Sequence, residues 1–154
     1  MTIERFTRFE FERVLDKIFG RDSWEITTSA YGLTYGEISY AGWIGGGKKV
    51  QVMSSINSIT EIADDTGENS IRVWVTDNKK QPLMPKINHW TTRLPGWQER
   101  LGDQVLLLKI MAEKLEWCKV CNDFEHLWKV KKDNENRGKL FARCQCENSF
   151  RWFD

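Results

Sequence analysis

Four cysteines constrain this chain more than any other feature. "WCKVC" sets Cys118 and Cys121 two residues apart; after 22 further residues "CQC" sets Cys144 and Cys146 one residue apart. Two cysteine pairs separated by a short strand-rich stretch are the layout of a four-thiolate tetrahedral zinc site. Thiols suit zinc because a soft anionic sulfur gives up its proton to the metal near neutral pH. The first pair has the usual knuckle spacing. The second is tighter and reaches the same ion only if the backbone bends sharply. His126 is the substitute ligand that would make the set Cys3His. The alternative for "CKVC" is a redox dithiol, but such pairs sit at helix N-termini, where the dipole lowers a thiol pKa. This pair follows a helix C-terminus.

The compartment has to allow free thiols. The start, "MTIERFTRFEFER", is charged and lacks the apolar stretch of a signal peptide, and no window approaches eighteen apolar residues. An intracellular, cytoplasmic or nuclear setting without membrane insertion is therefore expected, where cysteines bind metal more often than they pair. With 154 residues, eight Trp and eight Phe, there is material for one packed domain plus a small module.

"FTRFEFERVLDKIFG" reads as a helix: Thr7 and Glu10 stand at capping-box spacing, Phe6 and Phe11 at staple spacing. Phe11, Val14, Leu15 and Ile18 form its buried face, and Gly20 stops it. From about 24 to 92 the chain reads as roughly five antiparallel strands. Val50, Val52 and Ile56 share one phase, as do Ile71, Val73 and Val75. "LTYGEISY" slips phase at Gly36, which suggests a bulge; "ADDTGENS" is a turn or exposed loop; Pro82 and Pro85 demote "PLMPKINHW" to an edge or irregular strand. "LPGWQERLGDQVLLLKIMAEKLEW" reads as one long helix or two short ones broken near Gly102. Trp97, Leu101, Val105, Leu108, Ala112 and Leu115 form its buried stripe, which Leu106, Leu107 and Ile110 are expected to widen. The fold class is thus α+β, with an α+β domain over 1–116 and a zinc-ribbon module over 117–154 that follows the last helix without a linker.

Within the module, "HLWKVKK" and "GKLFARC" read as an antiparallel hairpin turning at "DNENRG", with "SFRWF" as a third strand. The net charge of +1 argues against a wholly basic surface, yet Lys129 to Arg143 carries six basic residues against two acidic ones. The segment resembles the GRF-type zinc finger, found at the tails of some topoisomerases, endonucleases and helicase-like proteins, and more broadly the topoisomerase-type zinc ribbon. Asn136, Gly138, Phe141 and Cys144 fall on its signature, with Lys139 where the family has Arg. Cys146, Phe150, Trp152 and Asp154 match its ending. Two features depart from the family: the looser first knuckle and the close last cysteines. The resemblance implies single-stranded nucleic-acid binding. Independently, Lys131, Arg137, Lys139, Arg143 and Arg151 suit phosphates, and Phe141 or Trp152 could offer a stacking face. The competing role for Phe141, Phe150 and Trp152 is the core of a small module, and for the cations a solvated face.

Other signals are weaker. "GWIGGGKK" satisfies Gly-x4-Gly-Lys, but Lys49 replaces the magnesium-binding hydroxyl and a strand follows where a phosphate loop needs a helix. A hairpin loop is the simpler expectation, although its lysines could still meet a phosphate backbone. Glu37, Asp64, Asp65, Glu68 and Asp77 form no nuclease motif; His89 stands alone near an edge strand. "INHWTTRLPGW" is either a core-lining turn or part of a nucleic-acid groove. The leading expectation is a binder of single-stranded DNA or RNA with structural Zn2+ and no catalytic residues. The rivals are a small nuclease-like enzyme targeted by the ribbon, and an adaptor or inhibitor that docks a protein partner or a second copy.

Overall fold

Helix α1 (Arg8–Phe19) starts where its cap is written: Thr7 Oγ1 accepts the Glu10 amide at 3.2 Å, and the rings of Phe6 and Phe11 stack at 5.5 Å across the cap. It stops at Gly20, whose N–H reaches Asp16 O at 3.0 Å. The computed structural model describes residues 6–27, 37–63, 70–77, 82–84, 87–91, 96–131, 135–146 and 150–153, apart from the side chains of 70 and 87–91.

Five strands follow as an antiparallel meander: β1 (Trp24–Ile26), β2 (Glu37–Gly45), β3 (Lys48–Asn57), β4 (Ser70–Asp77) and β5 (Ile87–Thr91). Alternation decides their faces. Ile38, Tyr40, Val50, Val52, Ile56, Ile71, Val73 and Val75 all point into one core and are buried. β5 takes the sheet edge, in keeping with the edge placement expected for its segment. Gly36 and most of "ADDTGENS" lie outside the described residues, although the β2–β3 register does shift between Glu37 and Ser39. Phe19 lies flat against β2 at Gly42. A Cβ there would stand 2.3 Å from the ring, so the residue must be glycine for α1 to seat.

Helix α2 (Trp97–Glu113) is one unbroken helix that passes through Gly102. Trp97, Leu101, Val105, Leu108 and Ala112 line its buried side, and Leu115 continues the set past its end. Leu106, Leu107 and Ile110 do not widen that stripe. At 100° per residue they fall on the opposite side of the helix, where they are 57%, 50% and 46% exposed. The two helices cover one face of the sheet. Phe6, Phe11, Tyr40 and Trp97 meet at their junction with ring separations of 4.7 to 5.7 Å.

The chain leaves α2 directly into small sheets. β6 (Trp117–Cys118) pairs with β7 (Asp123–Phe124), and β8 (His126–Lys129), β9 (Leu140–Arg143) and β10 (Phe150–Trp152) form a three-stranded sheet in the order β10-β9-β8. This is the ribbon-like arrangement expected. The sheet is not tethered loosely: Leu127 and Ala142 join the main hydrophobic core, and the Leu127 amide donates to Leu83 O at 2.7 Å. Among the described residues, no helix is long and apolar enough to cross a membrane.

Candidate functional site

The four cysteines converge. All four Sγ atoms lie within 4.8 Å of one another, with Cys118 to Cys146 at 3.5 Å and Cys144 to Cys146 at 3.4 Å. These separations are far longer than a disulfide bond of about 2.05 Å. They match the roughly 3.8 Å between sulfurs of a tetrahedral centre with metal–sulfur bonds of about 2.3 Å. The single residue between Cys144 and Cys146 is no obstacle. Strand β9 ends at Arg143 and the chain turns at once over Gln145 and Cys146, which brings both thiols to one centre. On the first knuckle Asn122 takes a left-handed conformation (φ 57°) and the Cys121 amide points at Cys118 Sγ from 3.5 Å. The Cys146 amide likewise reaches Cys121 Sγ at 3.0 Å. Such N–H···S contacts disperse the charge that four thiolates would gather around an ion. His126 is not in the cluster; its Nε2 lies 3.8 Å from Asp123 Oδ2. The donor set is thus four sulfurs that fit one metal ion.

The three-stranded sheet beside this centre has two unlike faces. Register places Trp128 opposite Phe141 and Phe141 opposite Trp152, which makes one row; His126, Arg143 and Phe150 make the next. All six side chains are flat and π-bearing, and they touch. Phe141 lies 5.1 Å from Phe150 and 6.1 Å from Trp152, His126 stacks at 6.5 Å from Trp128, and the Arg143 guanidinium sits 5.7 Å over Trp128. This face is open: Trp128, Phe150 and Trp152 are 43%, 54% and 47% exposed. Phe150 is therefore not core, because the module's core positions are filled from the other face by Leu127 and Ala142.

The predicted cations divide between these surroundings. Lys131, Arg137 and Lys139 are exposed at the turn end of the hairpin; Lys129 is exposed too, but alternation sets it on the Leu127 side of β8, away from the array. Phe141, Arg143 and Trp152 belong to the array itself. Arg151 faces the other way. Its guanidinium donates to Glu125 Oε1 at 2.9 Å and to Lys114 O, and Glu125 Oε1 also accepts the Glu116 amide at 2.9 Å. Glu125 is only 1% exposed, so this carboxylate clamps the end of α2 to β10. Sequence reasoning missed Trp128 and underrated Phe150. Pairing "HLWK" with "LFAR" in the observed register would have put Trp128 beside Phe141.

The front domain's signals resolve differently. "GWIGGGKK" is a hairpin whose two-residue turn, Gly46–Gly47, has positive φ at both positions (65° and 76°), the signature of a type I′ turn. Its lysines are committed. Lys48 is buried, 3.5 Å from Leu115 O and 4.4 Å over the Phe124 ring, and Lys49 pairs with Glu25 at 3.3 Å. Asp64, Asp65 and Glu68 lie outside the described residues, as do residues 92–95 of "INHWTTRLPGW" and the side chains of its residues 87–91, His89 among them. Asp77 is buried opposite Lys48 at the end of β4. Among the described residues, the four cysteines are the one group that could hold a metal ion. Comparison with protein-family models, with curated proteins and with solved structures finds no match to this chain.

Proposed function

We propose that the C-terminal module is a structural zinc ribbon of the GRF kind that binds single-stranded nucleic acid across its aromatic face. The observation that carries this reading is the two-by-three array on β8, β9 and β10. Large rings left about half exposed on one small sheet are what a stacking surface needs. The spacings favour it too. Neighbouring strands stand about 4.8 Å apart and alternate residues about 6.8 Å apart, so the array offers several flat faces on which unstacked bases can lie. Lys131, Arg137 and Lys139 stand exposed at the turn end, where they can follow the phosphates of a strand laid over the rings. The ion's role is mechanical. Zinc would hold β6–β7 against the end of β9 and so keep the platform in register.

Fluorescence-anisotropy titration with single- and double-stranded oligonucleotides over a salt series, alongside zinc quantification, tests the reading. The expected result is one zinc per chain and single-strand binding at least about tenfold tighter than duplex binding. A log–log salt slope near −2 to −3 corresponds to three or four phosphates neutralised. Absence of salt-dependent oligonucleotide binding by the metal-replete protein sinks the reading.

A further inference from the structure

Helix α2 has a second apolar side that the fold leaves uncovered. Opposite its core stripe stand Asp103, Leu106, Leu107, Ile110 and Lys114, all exposed. Asp103, Leu107, Ile110 and Lys114 are spaced 4, 3 and 4 residues apart, the spacing of alternating seam positions in a two-helix coiled coil. Lys114 is the helix C-cap and keeps right-handed helical geometry (φ −85°, ψ −8°), so the seam runs to the end of the helix. A shallow depression of about 400 Å³, lined by Arg100, Asp103, Gln104 and Leu107, lies along it.

We propose that this side of α2 is a homodimer seam and that its occupant is α2 of a second copy, running antiparallel. The charges choose the partner and the direction. In an antiparallel pair each seam position meets its opposite number, which sets Leu107 on Ile110 of the second copy and Asp103 on Lys114 of the second copy, twice by symmetry. A parallel pair would instead set Asp103 on Asp103 and Lys114 on Lys114, both repulsive. The apolar pair thus lies at the two-fold axis and a complementary ion pair closes each end. The depression beside Leu107 is placed to receive Ile110 of the second copy. A stable interface buries about 1,600 Å² in total, and one pair of helices some 25 Å long buries less. The dimer therefore exchanges with monomer at micromolar concentrations.

Sedimentation velocity of the full zinc-loaded chain from about 1 to 300 µM, in low salt, tests this. The expected result is a concentration-dependent shift from monomer to dimer. D103K and K114D should each weaken the dimer on the order of 100-fold, since each makes two like-charge contacts. The double variant D103K/K114D should return to within about threefold of the original, because the pairs are restored with signs exchanged. Leu107→Lys should abolish dimerisation while leaving the thermal midpoint of the dilute, monomeric chain unchanged, its side chain being exposed. A monomer at every concentration, whether the stripe is bare or holds another partner, overturns the proposal. So does a dimer indifferent to both single charge reversals, which places the interface elsewhere.

Discussion

The chain uses its aromatic rings in two opposite ways. In the front domain Phe6, Phe11, Tyr40 and Trp97 stack on one another beneath two helices and are at most 3% exposed. In the C-terminal sheet Trp128, Phe150 and Trp152 also touch their neighbours, yet each keeps between 43% and 54% of its surface in water. The difference lies in what holds each region together. Five strands and two helices enclose enough volume to bury large rings, and the stability comes from that burial. The C-terminal sheet has too few residues to enclose a core of its own. It borrows a share of the front domain's core through Leu127 and Ala142 and gathers four sulfurs at its end. Its rings are thereby released for a surface.

Removing the metal ligands should separate the two regions most sharply. Structural zinc supplies on the order of 10 kcal/mol of folding energy in small modules. Cys144→Ser or chelation should therefore collapse the amide dispersion of 117–153 while the front domain keeps its helical circular dichroism. The front domain should lose only about 2–3 kcal/mol, the worth of Leu127 leaving its core. A single cooperative unfolding of the whole chain on chelation would erase the distinction.

Rings on the two sides of the comparison should respond to truncation in opposite senses. Phe11→Ala is expected to cost about 3–5 kcal/mol in urea denaturation and to leave oligonucleotide affinity per folded molecule alone. Trp152→Ala should cost under about 1 kcal/mol of stability and weaken single-strand affinity by roughly 1–3 kcal/mol. Equal stability losses from the two changes would show that the exposed rings are structural after all.

Two arginines on adjacent strands give a smaller contrast. Arg151→Ala leaves Glu125 buried without its guanidinium and should cost about 1–3 kcal/mol, whereas Arg143→Ala should cost under about 0.5 kcal/mol and show mainly as weaker oligonucleotide binding. Melting temperature and anisotropy, measured on both variants, separate the roles.

The smallest effect concerns Lys48, at the joint of the two regions. Burial pushes its ammonium pKa below the usual 10.5, against the opposing pull of the Glu113 carboxylate. Between the folded pKa and 10.5 the unfolded chain holds more protons, so this group makes stability rise with pH in that window. Denaturation from pH 7 to 10 should show a rise that Lys48→Met removes; an unchanged profile in the variant would assign the rise to other groups.

Much of this was readable one residue at a time. Thr7 and Glu10 announced α1, because a cap is a contact between near neighbours in the chain. The strands over Val50–Ile56 and Ile71–Val75 announced their inward faces, because alternation is a property of extended backbone. Cys118, Cys121, Cys144 and Cys146 announced a common centre, because few other arrangements satisfy four free thiols at that spacing. In "VLLLKI" apolar residues occupy nearly every helical phase, so the sequence could place Leu108 inward by its spacing but could not say that Leu106, Leu107 and Ile110 go outward. That choice was made by the sheet on which α2 lies. Likewise, alternation divides β8, β9 and β10 into two faces but does not say which face meets a core. Only the docking of Leu127 and Ala142 on the front domain turned the aromatic row outward and drew Arg151 to Glu125. Local backbone chemistry set the elements and the four-cysteine pattern, and contacts between residues far apart in the chain decided which surfaces remain exposed.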